Sequence, residues 1–161
     1  MSTRREAREH VMKALYAHEQ ADDEAPDHAV RTLIAPPLED DSSTLDFAER
    51  LFRSTLDTMP EADELIERHA ENWEVHRITI VDRSLLRMAT TEFLEFEKIP
   101  PKVSVDEAIE IAKKYSTPRS DTFVNGVLDA ILLDLHEQGR LNKSGRGLIG
   151  MDTIRERADS S

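Results

Sequence analysis

The chain has no cysteine, so neither a disulfide framework nor a thiolate metal site is open to it. It is poor in glycine, with five residues, and in aromatic side chains, at 5%. Runs of β-branched residues are scarce and no stretch holds a period of two, which argues against a sheet. No apolar run approaches the length of a membrane span, and charges stand where a signal peptide needs its apolar region, so a cytoplasmic protein is expected. Basic residues are in deficit, 21 against 33 acidic, for a net charge of −12. A field of that sign repels nucleic acid, so any contact with RNA must rest on a local basic patch. The 39% hydrophobic content of the 161 residues suffices for one core, arranged as two small helical bundles in tandem.

The most informative stretch is 100–135, PPKVSVDEAIEIAKKYSTPRSDTFVNGVLDAILLDL. Pro100 and Pro101 forbid continuation of a preceding helix. Ser104 with Glu107 has the spacing of a capping box and predicts a helix start, with Val105, Ala108, Ile109 and Ala112 as its apolar stripe. Pro118 ends that helix and Ser120 or Asp121 offers the next cap, ahead of Val124, Val127, Leu128, Ile131 and Leu135 at helical spacing. Gly126, near the start of this last helix, costs up to about 1 kcal/mol against alanine and predicts a close helix contact or a packed partner.

Elsewhere, residues 4–19 read as a helix burying Ala7, Val11, Ala14, Leu15 and the body of His18, with Arg8 and Met12 at the edge of that face. Arg5 and Tyr16 lie further round, and Arg4, nearer the apolar face, can swing out at the terminus. A guanidinium cluster beside a tyrosine ring fits a single-strand RNA surface; an ordinary solvated face paired with Glu6 and Glu9 is the other reading. Residues 21–46 carry eight acidic residues against Arg31 alone and read as an acidic connection, with a short helix near 27–35. A helix over 45–59 buries Ala48, Leu51, Phe52, Thr55, Leu56 and Met59, and Pro60 fits the first turn of a further one with Ala62, Leu65, Ile66 and His69 inward. Trp73 is expected to plug a junction. Thr79 with Asp82 caps a long central helix that carries Val81, Leu85, Met88, Ala89 and Phe93 inside. Beyond Gln138, where four of the five glycines fall, periodicity fades and a mobile tail is expected, with at most a marginal helix at 151–158. The boundaries are 1–72, 73–137 and 138–161, with about six or seven helices in all.

Catalytic patterns fail their context. Gly145, Gly147 and Gly150 satisfy GxGxxG, but no strand precedes them and no substantial helix follows. Asp106, Glu107 and Glu110 share a helix, yet no histidine has an acidic residue three positions before it, as di-metal bundles require. The three carboxylates fit first-turn acids favoured by the helix dipole. No enzyme, cofactor or metal is expected.

The segments KVSVDEAIEIAKKY and FVNGVLDAI together resemble the C-terminal signature of the NusB family of bacterial transcription antitermination factors. RREAREHVMKALYAHE is similar to that family's arginine-rich first helix, and Trp73 with DRSLLRMATTEFL to its central helix. The resemblance implies an all-α NusB-like fold and recognition of boxA RNA in ribosomal operon transcripts. The implied partners are the ribosomal protein that acts as NusE, and RNA polymerase with other Nus factors. It carries RNA contact onto Arg4, Arg5, Arg8, Tyr16, Arg119 and Phe123. For Asp82 and Arg87 it implies either contact with RNA or partner, or an ion pair within the fold. Glu6 interrupts the arginine run, and Arg119 is basic where the family is often acidic or neutral. Two other readings share the fold: an adaptor without specific RNA binding, and an RNA-targeting module serving a separate ribosomal RNA methyltransferase.

Overall fold

The computed structural model describes residues 2–21, 25–71 and 74–159, which are helical with no strand among them. Trp73, expected to plug a junction, lies outside the described residues. Two compact units divide the chain, Met1–Asp57 and Thr58–Ser161.

The first unit begins with α1 (Arg4–Gln20), whose start is fixed by Thr3 accepting the Glu6 amide at 3.1 Å. Ala7, Val11, Met12, Ala14 and Leu15 are buried as the spacing predicts, and Arg8 with them. The acidic connection is more ordered than its composition implies. Helical turns α2 (Pro26–Ala29) and α3 (Ala35–Leu38) flank a wider π turn, Val30–Ile34. Pro36 and Pro37 have no amide to donate, and the last donor before them, Ala35, reaches back five residues to Val30. Ile34 and Leu38 thereby enter the core beside α1. Asp41 accepts the Thr44 amide in the first turn of α4 (Ser42–His69), and those bonds hold its carboxyl below the ordinary carboxylate range.

Pro60 does not open a new helix. It sits inside α4, which runs unbroken to His69. Leu51, Phe52, Thr55 and Thr58 before the proline and Ala62, Leu65 and Ile66 after it are all buried and keep one helical register. Burial of that continuous stripe outweighs the ~3 kcal/mol that an interior proline costs.

The second unit is built on α5 (Ile80–Glu95), packed against α6 (Pro101–Tyr115) and α7 (Ser120–Glu137). Every residue from Asp82 to Phe93 is buried, including four charged ones, so each charge needs a partner. Arg83 donates to the Ile78 carbonyl at 3.0 Å, and Arg87 forms a fork with Asp63 of α4 at 2.7 and 2.9 Å. Ser116 donates to Asp82 at 2.8 Å and Ser104 to Glu92 at 2.9 Å. Asp134 of α7 takes hydrogen bonds from His69 at 2.7 Å and Arg68 at 3.0 Å, so His69 is a core-edge residue tying α4 to α7.

Two expected helix starts are corrected. α6 begins at Pro101, where a missing amide costs nothing, and Ser104 is turned inward to the buried Glu92 carboxylate instead of capping. Ile111 takes the core place expected of Ile109, which is half-buried. α7 is preceded by Arg119 in the cap position with no side-chain cap, because the Ser120 hydroxyl bonds inward to Ser116 and Thr117, 2.9 Å from each.

The segment after Gln138, expected to be mobile, is seated. Lys143 donates to the carbonyls of Glu92 and Phe96 at 2.9 and 2.8 Å, satisfying acceptors at the C-terminal end of α5. Burial lowers its pKa to about 8 against an opposing pull from Glu92. Ser144 donates to the Glu97 carbonyl, and a Cβ on Gly147 would collide with that same carbonyl. The glycines of the GxGxxG pattern thus include one that admits a close backbone approach and has nothing to do with a nucleotide. A last helix, α8 (Met151–Asp159), buries Met151 and Ile154 and packs on α7, where Arg157 forks onto Asp129.

Candidate nucleic-acid interface

In the second unit an open-mouthed cavity of about 280 Å3 lies between the approach to α5 and the start of α7. Arg77, Ile78, Thr79 and Asp82 line it from one side, and Thr117, Pro118, Arg119, Ser120 and Phe123 from the other. Its volume is near the roughly 300 Å3 at which ligand clefts begin, enough for one planar group rather than an extended ligand.

Local chemistry fixes each wall. Thr79 accepts the Asp82 amide at 3.4 Å, starting α5 at the expected cap. A short 3-10 turn, Val75–Arg77, precedes it, and the buried Arg83 guanidinium reaches the Val75 and Ile78 carbonyls on either side of that turn. The turn is therefore held from beneath, which fixes the backbone that presents Arg77. Opposite, a polar chain runs from Asp82 through Ser116 to Ser120 and Thr117, locking the loop that Pro118 creates. Arg119 follows with φ of 75°, the one described non-glycine residue in the left-handed region. That conformation costs a side-chain-bearing residue about 1–2 kcal/mol. Strain of this kind is retained where surrounding structure imposes it, and here it stands at the rim of a cavity.

The chemistry on offer is a ring face and cations. Phe123 is half-exposed in the wall and able to stack on a flat ring, while the exposed Arg77 and Arg119 supply positive charge at the mouth. Both stand out against a chain of net charge −12.

Of the residues carried over by resemblance, Asp82, Arg119 and Phe123 come together here. Asp82 is buried and holds Ser116, so its part in the cavity is to fix the opposite wall. Arg87 is not in the lining; its guanidinium is spent on Asp63. Arg4, Arg5, Arg8 and Tyr16 all belong to the first unit. There the Arg4 and Arg8 guanidiniums lie 4.0 and 5.2 Å from the centre of the Phe47 ring, a cation–π cluster in which Arg4 is exposed and Arg8 buried. Arg5 is exposed and Tyr16 is 47% exposed, an unusual position for a large ring on a soluble helix.

Sequence reasoning missed Arg77, Arg83 and the Ser116–Ser120 chain. Arg83 carried a signal, since it falls one turn before Arg87 on the expected central helix. Arg77 carried none, because its position depends on an irregular turn.

The sequence profile of the NusB family matches residues 5–133. The chain is 73% identical over its whole length to the transcription antitermination protein NusB of Salinibacter ruber, all of which is covered. It is 41% identical over 96% of its length to the protein of that name from Chloroherpeton thalassium, covering 73% of it. Among solved structures, T. maritima NusB aligns with a TM-score of 0.75 at 40% identity, covering 81% of this chain and 91% of that one. A crystal structure of the antitermination factors NusB and NusE in complex with dsRNA aligns at 0.68 and 25% identity, covering 80% of this chain and 95% of that one. No described helix is long and apolar enough to cross a membrane. The chain belongs to the NusB family of transcription antitermination proteins, a family of non-enzymatic factors.

Proposed function

We propose that this protein binds a boxA-type element of nascent ribosomal operon transcripts together with a ribosomal protein acting as NusE. It then serves as a scaffold that couples the RNA to RNA polymerase and other Nus factors. The observation that carries the reading is the cavity walled by Phe123 and rimmed by Arg77 and Arg119 on a strongly acidic chain. A ring wall with cations at the mouth suits a base that stacks while its phosphates meet guanidinium. Arg4, Arg5 and Tyr16 of the first unit offer the same pair of chemistries, with Arg8 behind them on Phe47. The neighbour solved as NusB with NusE and RNA supports both classes of partner. No bond is made or broken; the work is to hold two partners in place.

The test is a titration of a fluorescent boxA-type RNA against the full chain, with and without the ribosomal protein, over a salt series and against a scrambled RNA. Binding is expected to prefer boxA, to tighten with the ribosomal protein and to weaken with salt. Three to five phosphate contacts give a slope of log affinity against log salt of about −2 to −3.5. A flat salt response overturns the basic-rim mechanism. Binding of the ribosomal protein with no preference between the RNAs would make the chain a protein adaptor.

A further inference from the structure

Nothing among the described residues explains Gly126. It lies in the interior of α7, where glycine weakens a helix relative to alanine. Its φ is not positive, so the backbone does not require glycine, and a Cβ built on it meets no atom within 4 Å, so packing does not require it either. Gly147 is the opposite case, with a carbonyl where its Cβ would be. The residue that needs the space above Gly126 is therefore sought outside the chain.

Its position says what that is. At 100° per residue, Gly126 is one turn beyond Phe123 and 60° round the helix, toward solvent. Thr122 and Asn125, both exposed, flank it with hydrogen-bonding side chains. A strand whose base occupies the cavity at Phe123 and which continues along α7 crosses Gly126 next. One turn further on the same face is Asp129, whose carboxylate would repel a phosphate. The C-terminal helix answers that charge: Arg157 donates to both Asp129 oxygens, at 3.1 and 2.6 Å. The family profile matches residues 5–133, so this arginine lies beyond the matched segment.

We propose that the solvent face of α7 around Gly126 is a contact strip for the sugar–phosphate backbone of bound RNA. In it Gly126 permits close approach, and Arg157 of the C-terminal helix cancels the charge of Asp129. The inference rests on the RNA reading above and extends it to a path and to the tail.

The test uses the full chain and a labelled boxA-type single-stranded RNA, with melting temperature read in parallel. Gly126→Ala is expected to raise Tm by roughly 2–4 °C through helix propensity alone. Gly126→Gln, with a long neutral side chain that helices tolerate, is expected to weaken RNA binding by about tenfold or more at a Tm no lower than that of the parent. Arg157→Ala should weaken binding a few-fold, and adding Asp129→Asn should restore it; a tail that acted only as a brace would not be rescued by neutralising its partner. Parental RNA affinity in Gly126→Gln overturns the strip, as does a loss confined to binding of the ribosomal protein, which would make the face a protein contact. Failure of Asp129→Asn to rescue overturns the role of Arg157. Phe123→Ala separates the two levels: if it binds as tightly as the parent, the cavity reading itself falls, whatever Gly126 does.

Discussion

The arginines of α1 and those of α5 differ in what they face. In the first unit, Arg4 and Arg8 lie over the Phe47 ring and Arg5 is exposed, so the helix carries its charge at an aromatic surface. In the second unit, Arg83 and Arg87 are buried and bound to carbonyls or to a carboxylate, and the exposed arginines that line the cavity, Arg77 and Arg119, come from the turns. Helical phase sorts exposed from buried along α1 but not along α5, which is buried all round from Asp82 to Phe93. It does not say what a buried guanidinium does, which depends on a partner distant in sequence. Arg87 and Asp63 are 24 residues apart, and nothing local to either announces the fork.

The largest expected effect tests that contrast at its buried end. Asp63→Ala leaves the Arg87 guanidinium in a mostly buried site without its fork and should cost about 3 kcal/mol, a Tm loss of roughly 6–12 °C. RNA affinity measured well below the transition should not change. A variant that kept its Tm and lost RNA would place Arg87 with the arginines of α1 and break the comparison.

Lys143 is another buried cation, and its titration gives the next effect. Its pKa is about 8 folded against 10.5 in the unperturbed side chain, because burial disfavours the ammonium. The folded state binds that proton less tightly than the unfolded chain, so the ammonium subtracts from stability at neutral pH. Stability is regained as pH rises from about 8 towards 10.5, by at most ~3 kcal/mol. Lys143→Met removes the titration along with two hydrogen bonds. Parent and variant should therefore diverge in chemical denaturation between pH 7.5 and 10, with the parent gaining. Parallel curves would mean that the ammonium is solvated and the tail loosely seated.

At the exposed end, Arg4→Glu with Arg5→Glu should weaken RNA binding by about 2 kcal/mol. The salt slope should shrink in magnitude by about 1.4, at 0.7 per lost contact, with no loss of helix content. Arg8 is left out of this pair because it is 4% exposed, and a glutamate there would test packing instead of charge. An unchanged salt slope would show that α1 carries its arginines for Phe47 alone.

Legibility in the sequence divides along the same line, between periodic and irregular structure. The apolar stripes of α1 and α7 are legible because burial repeats at three and four residues, and the Thr79 cap because its partner is three residues away. The continuity of α4 is legible in principle, since the stripe stays in register through Pro60, but a proline taken locally signals a helix start. The seating of the tail was not legible: Lys143 bonds across 51 and 47 residues, and Gly147 matters only because Glu97 lies against it. Phe123 and Arg119 were found through resemblance. The cavity that joins them to Arg77 depends on two turns whose geometry no periodicity encodes.

The smallest effect is the most discriminating, because two readouts should move in opposite directions. Arg119 holds a left-handed backbone that glycine adopts without penalty, so Arg119→Gly should stabilise the protein by about 1 kcal/mol. The same change removes a guanidinium from the mouth of the cavity and should weaken RNA binding by about 1 kcal/mol, roughly fivefold. If strain is kept for the sake of a contact, the variant is a more stable protein that binds RNA less well. Stabilisation with unchanged affinity would instead make the turn a cost of joining α6 to α7, and would leave Phe123 and Arg77 to carry the cavity alone.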